Sequence, residues 1–147
     1  MVFGVQQGDV VTFAKTVGET DVYLFAGISG DFFPNHVNEE FMKKSGFAGR
    51  IAHGALILAY SSTASSMISA RSLEKPGGLH PVALGYDRVR FLKPVYIGDT
   101  VTIRYTVATL DAQRNRSVAK VEAFNQNGDL VMAAEHIMKW VERPALA

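Results

Sequence analysis

Gly54-Ala55-Leu56-Ile57-Leu58-Ala59-Tyr60-Ser61-Ser62-Thr63-Ala64-Ser65-Ser66-Met67-Ile68-Ser69-Ala70 is the stretch on which the fold turns. From Ile51 to Ala70 there is no Asp, Glu, Lys or Arg. A bilayer span is the first reading of such a run. His53 and the hydroxyls of Ser61, Ser62, Thr63, Ser65, Ser66 and Ser69 argue against it. Lipid penalises that many polar groups, whereas a helix inside a globular protein can seat them. Helical hydroxyls also bond back to the i−4 carbonyl, which is the plain structural role for all six. The stretch reads as a core helix beginning near Gly54.

Toward the C-terminus the apolar period changes from helical to two. In Thr100 to Val107, the residues Val101, Ile103, Tyr105 and Val107 share one face of a strand. Val82 to Leu92, Ser117 to Phe124 and Leu130 to Val141 are also strand-like. Asn127-Gly128 predicts a type I′ hairpin between the last two, with both central residues at positive φ. Gly98-Asp99 and Asp111 to Asn115 supply other turns, and Pro76-Gly77-Gly78 follows the helix as a loop. Toward the N-terminus, Val10 to Ala14 reads as a first strand. Glu19 to Ile28 reads as a short helix, with Thr20 or Asp21 near its start and Val22, Phe25 and Ala26 as its apolar stripe. Gly30 to Val37 is a loop broken by Pro34, and Asn38 caps a helical turn or two ending near Lys44. Four antiparallel strands must bury one face, and only the central helix is apolar enough to fill it. The expected class is α+β, a curled antiparallel sheet around one long helix.

The 147 residues suit a single domain spanning 1–147, without a Pro/Ser-rich linker or an internal repeat. A net charge of +1 offers no footprint for nucleic acid or an anionic membrane. With no cysteine there are no disulfides, thiolate nucleophiles or Cys-based metal sites, which fits a cytoplasmic protein. Met1 to Asp9 has neither a basic start nor a sustained apolar run, so it does not read as a signal peptide. His36, His53, His80 and His136 have no metal-site spacing, and no phosphate-loop, dinucleotide or nucleophile-elbow motif occurs.

The polar residues that could do chemistry concentrate in two places. Asp31 and His36 share a Gly/Pro-containing loop, and a carboxylate with an imidazole makes a competent acid/base pair. Equally, Asp31 could cap the following turn and His36 could be a hydrogen-bonded loop residue. In Gly49 to Ala55, Gly54 opens the helix with an unpaired N–H at the positive end of the macrodipole. Such an amide can stabilise charge on a thioester oxygen, or the glycine simply allows tight helix entry. His53 is either a third acid/base group or a structural side chain, and the structural role is favoured. Arg88 and Arg90 lie on one face of a strand with Val89 and Phe91 on the other, near Lys93. They suit coenzyme A phosphates or a solvated outer face.

Taken together, these segments resemble the MaoC-like branch of the hot-dog family, which includes the R-specific enoyl-CoA hydratases. The resemblance rests on Gly30-Asp31-Phe32-Phe33-Pro34-Asn35-His36-Val37-Asn38, then Ile51-Ala52-His53-Gly54-Ala55, then Phe91-Leu92-Lys93-Pro94-Val95-Tyr96-Ile97-Gly98-Asp99-Thr100. It implies a hot-dog fold, a dimer joined sheet edge to sheet edge, and hydration of a trans-2-enoyl-CoA without metal or redox cofactor. Asp31 and His36 would activate water, the Gly54 N–H would hold the thioester oxygen, and Ser62 would support the site's hydrogen bonding. Arg88, Arg90 and Lys93 would be available to the CoA phosphates. The chain departs from the pattern at Phe33, where Asn is usual, and at Asn35, where an apolar residue is usual. Phe33 would then add bulk near the acyl site, while Ala55, replacing Met, would open room. Two rivals share the acyl-CoA ligand. A hot-dog thioesterase usually carries a helix carboxylate, and none lies between Gly54 and Ala70. The other rival is a non-catalytic acyl-CoA-binding subunit, which retention of the Asp31/His36 pair disfavours.

Overall fold

The computed structural model describes residues 3–74 and 79–142. The Pro76-Gly77-Gly78 loop read from the sequence lies outside them. Strand β1 spans Val10–Thr16, β2 His80–Phe91, β3 Thr100–Asp111, β4 Arg116–Phe124 and β5 Leu130–Val141. They form one antiparallel sheet in the order β1-β3-β4-β5-β2. Alternation puts Val101, Ile103, Tyr105 and Val107 of β3 on the inner face, none more than 3% exposed. Val121 of β4 and Met132 and Trp140 of β5 join them in the same core.

Helix α1 spans Glu19–Ser29, α2 Pro34–Val37, α3 Glu39–Met42 and α4 Gly54–Leu73. Leu56, Ile57, Tyr60, Ala64 and Ile68 of α4 fill the concave side of the sheet. The helix is buried along one face only: Ser62, Thr63, Ser66 and Met67 face outward. The run of uncharged residues therefore reflects small side chains on the outer stripe as well as apolar ones within. Ser61, Ser65 and Ser69 donate to carbonyls three or four residues back. A sheet curled around one long helix is the hot-dog fold, as expected. No described helix is long and apolar enough to cross a membrane.

Two local features differ from the expected pattern. The β4–β5 hairpin forms, but its turn is not type I′. Gly128 alone has positive φ (81°), and its N–H donates to the Asn125 carbonyl at 3.0 Å. The Asn125 side chain accepts from the Asn127 and Asp129 amides, which secures a longer loop and frees Asn127 from a left-handed conformation. Strand β2 carries register shifts against β5 between Ala83 and Gly85 and between Asp87 and Arg90. Arg88 sits in the second with φ 54°. Such bulges insert an extra residue and re-aim the side chains beside them.

A polar chain runs through the core where β2, β3, β5 and α4 meet. The Tyr105 hydroxyl lies 2.9 Å from His136 Nδ1, Tyr86 stacks on His136 at 4.3 Å, and the Tyr86 hydroxyl lies 2.9 Å from Ser61 Oγ. Burial pushes the His136 pKa from 6.5 down to about 4. Between these values the unfolded chain binds more protons than the native one, so stability falls as pH drops through that window. The loss from this group is roughly 3 kcal/mol between pH 7 and pH 4. Urea titrations should show that His136→Gln flattens the acid-side slope of stability; an unchanged slope would mean that His136 is not the buried neutral imidazole described.

Candidate active site

Glycine ends α1 and begins the loop that carries Asp31. Gly30 adopts φ 79° and donates its N–H to the Ala26 carbonyl at 2.8 Å, turning the chain out of the helix. Asp31 comes next. Its Oδ1 accepts the Phe33 amide at 3.2 Å, so one oxygen caps the turn. Pro34 occupies the first position of α2, where its missing N–H costs nothing. That helical turn, inside a segment read as loop, buries His36 to 8% exposure. Asn38 then caps α3 as expected, accepting from the Phe41 amide.

The second half of the site comes from the entry to α4. His53 is the residue before the helix, 3% exposed, and its Nε2 donates to the main-chain carbonyl of Asp31 at 2.9 Å. Its ring stacks on His36 at 3.7 Å and packs against Phe25 at 4.9 Å. His36 Nδ1 donates to the Ile51 carbonyl at 2.7 Å. A carbonyl can only accept, so the neutral His36 carries its lone pair on Nε2. Asp31 Oδ2 stands 3.9 Å from that Nε2 and 3.9 Å from His53 Nε2, too far for direct hydrogen bonds. Burial lowers the His36 pKa below 6.5 and the neighbouring His53 adds to this; the Ile51 hydrogen bond and Asp31 oppose it.

Asp31, His36 and His53 bring three potential metal ligands within 4.8 Å of one another. Their hydrogen bonds divide them by role. His53 Nε2 holds the proton it gives to the carbonyl, leaving Asp31 Oδ2 and His36 Nε2 as the open acceptors. Two acceptors match the two O–H groups of one water. A zinc ion would ask for a fuller protein ligand set.

His36 lines a pocket of about 390 Å³ with Gly54, Ile57, Phe91, Val95 and Val131. Gly54 opens α4 there, so its amide has no carbonyl within the helix to receive it. The glycine is also needed sterically, because a Cβ would lie 2.7 Å from two carbons of the Phe91 ring. The amide role and the packing role thus coincide in one residue. Asn35 also lines the pocket, its buried Oδ1 lacking a hydrogen-bond partner. Phe33 does not add bulk there: it is 60% exposed and packs edge-on against Phe41. Ala55 is exposed and does not line the pocket either.

The remaining predicted positions scatter. Ser62 is exposed and lines a separate cavity, while its neighbour Ser61 is the buried hydroxyl. Arg88 pairs with Glu135 on the outside of the sheet. Arg90 donates to the Val89 carbonyl beside it. Lys93 alone of the three lines the His36 pocket, its Nζ 2.6 Å from Asp129 Oδ1. Missed by sequence reasoning were the Ile51 carbonyl that sets the His36 tautomer and the Asp31 carbonyl that holds His53. Main-chain acceptors leave no residue signature.

The family model of the MaoC like domain matches residues 4–127. An (R)-specific enoyl-CoA hydratase from Rhodospirillum rubrum is 40% identical over 106 residues, covering 72% of this chain and 68% of that protein. One of the same name from Aeromonas caviae is 28% identical, covering 90% of this chain and 92% of its own. Among solved structures, an unliganded R-hydratase from Pseudomonas aeruginosa superposes with TM-score 0.80 at 29% identity, covering 97% of this chain and 88% of that one. The chain belongs to the MaoC-like family of hot-dog proteins.

The tautomer is directly measurable. In ¹⁵N-resolved NMR at pH 7, His36 should show a protonated Nδ1 and a bare Nε2, and should titrate below 6.5. A protonated Nε2 at neutral pH would remove the acceptor on which the site's chemistry depends.

Proposed function

We propose that this protein catalyses reversible hydration of a trans-2-enoyl-CoA to a 3-hydroxyacyl-CoA. One observation carries the reading: Asp31 Oδ2 and His36 Nε2, both acceptors, stand 3.9 Å apart beside the pocket that contains Gly54. A water at hydrogen-bond distance from both would subtend an angle of about 90°, close to its own H–O–H angle. Its oxygen lone pairs are then free to attack the β-carbon. His36 Nε2 or the Asp31 carboxylate takes one proton as the C–O bond forms, and a proton is delivered to the α-carbon as the enolate collapses. The Gly54 amide faces the charge that develops on the thioester oxygen. No metal or redox group is called for, because the thioester carbonyl itself makes the α-carbon able to exchange a proton. Lys93, which lines the pocket, would exchange its Asp129 partner for the CoA phosphates. Arg88, which pairs with Glu135 away from the lining of that pocket, is less available. The names of the relatives, (R)-specific enoyl-CoA hydratase and 3-hydroxybutyryl-CoA dehydratase, support the same reaction class.

The test follows absorbance of the enoyl-thioester band with crotonyl-CoA, alongside free thiol. The expected result is loss of the band without CoA release. Asp31→Asn and His36→Ala should each lower kcat by roughly 10²–10⁴-fold. CoA release with the double bond intact would instead establish a thioesterase, and saturable binding without turnover a binding subunit.

We also propose a homodimer joined through β2. It is a sheet-edge strand whose Val82, Leu84 and Phe91 are 40%, 51% and 54% exposed, an apolar edge that favours pairing. Sedimentation should give a dimer that Leu84→Glu dissociates, and a monomeric wild type would refute the assembly.

A further inference from the structure

Arg50 immediately precedes the residue whose carbonyl sets the His36 tautomer, and its side chain is only 12% exposed. The chain is extended here: Ile51 bridges Tyr96, and the Ala52 N–H donates to the Val95 carbonyl at 2.7 Å. Successive side chains of an extended segment point to opposite sides. Ile51 accordingly lines the His36 pocket, whereas Arg50 lines a separate hollow with Glu19, Glu39 and Tyr96.

In that hollow the guanidinium joins two helices. Its Nη2 pairs with Glu19 and its Nη1 donates to the Tyr23 hydroxyl at 3.3 Å. Both partners belong to α1, four residues apart and so on one face. The Nε donates at 3.1 Å to Oε2 of Glu39, the first residue of α3. These helices flank the acid/base loop: α1 ends two residues before Asp31, and α3 begins three residues after His36. The main chain beside Arg50 grips what lies between. The Ile51 N–H donates to the Asn35 carbonyl at 3.1 Å, and the Ile51 carbonyl accepts from His36 Nδ1 at 2.7 Å. Side chain and main chain thus form one bracket, closed on both sides of the loop and at its centre. A lone exposed ion pair stabilises little, but here one largely buried fork serves two carboxylates and a phenol. Removing it would leave both carboxylates without their shared cation.

We infer that Arg50 is a positioning residue for the acid/base pair: by gripping α1 and α3 it holds the Ile51 carbonyl against His36 Nδ1, which keeps the imidazole lone pair on Nε2. The consequence for turnover rests on the hydration reading. When the bracket loosens, the Ile51 carbonyl draws away from the ring. His36 is then free to carry its proton on Nε2, where it donates instead of accepting. A misplacement of about 1 Å can lower a rate roughly a hundredfold. Arg50 lines a hollow other than the His36 pocket, so substrate affinity has no reason to change.

The test uses the full chain, ¹⁵N-resolved NMR at pH 7 and kinetics with crotonyl-CoA. In Arg50→Gln, an Nε2-protonated form of His36 should appear beside the Nδ1-protonated one. The same variant should lose roughly tenfold to a hundredfold in kcat, with KM within about twofold of wild type. A merely structural role would lower the melting temperature and move neither the tautomer nor kcat, and that result in folded protein overturns the proposal. A loss confined to KM overturns it as well. Glu39→Gln removes one arm and keeps Arg50, so it serves where Arg50→Gln does not fold. It should move both readouts in the same direction by less, about threefold in kcat. An unchanged tautomer and kcat in that variant is equally fatal. The NMR measurement needs no substrate. Wild type that hydrates no enoyl-CoA therefore overturns the hydration reading, while the tautomer in the variants still decides the bracket.

Discussion

One imidazole proton ties the two halves of the site together. His53 Nε2 donates to the Asp31 main-chain carbonyl, joining the loop after α1 to the residue that opens α4. With the His53 ring only 3% exposed, water scarcely competes for that bond. The position of α4 against the sheet therefore sets the position of the acidic loop. Because His36 stacks on the same ring, the loop's imidazole is oriented by the helix entry as well. Asp31 can keep an exposed carboxylate without wandering, since its carbonyl is anchored while its side chain caps the turn. The pair of acceptors arises from this anchoring rather than from their distance in sequence.

The fold was largely legible because its inner faces obey simple periods. Val101, Ile103, Tyr105 and Val107 alternate strictly, and β5 spans Leu130–Val141 as read. What escaped were features settled by tertiary contacts. Asn127-Gly128 marks a hairpin, but the Asn125 side chain decides which turn it is. The uncharged stretch marks a helix, yet absence of charge does not separate a buried face from one lined with Ser and Ala. At Arg88 to Phe91 a period of two does not foresee the bulge, because strand pairing places it.

The site was legible in a different way. Asp31 and His36 are five residues apart, which alone says little; the ordered motifs through His53-Gly54 and Phe91 to Thr100 made them a candidate pair. Gly54 could be read as an amide donor or as a tight entry, and the nearby Phe91 ring shows that packing needs the glycine too. Ser62 illustrates the limit of helical arithmetic. One residue earlier the hydroxyl is buried against Tyr86, and Ser62 itself lies exposed beside another cavity. The chain from Tyr105 through His136 and Tyr86 to Ser61 joins residues that are far apart in sequence, so no local pattern announces it.

The irregularities of β2 bear on how such a protein can vary. From His80 to Phe91 the strand advances 11 residues while its partner, from Val141 to Met132, advances 9. The two surplus residues act as phase shifters: each one added or removed turns the next part of the strand over. The segment from Gly85 to Asp87 lies between them, and Phe91 lies beyond the second. A single-residue deletion near Arg88 would swing Phe91 off Gly54 and leave Asp31 and His36 where they stand. Length changes in this edge strand are thus a route for reshaping the pocket that is uncoupled from the acid/base pair.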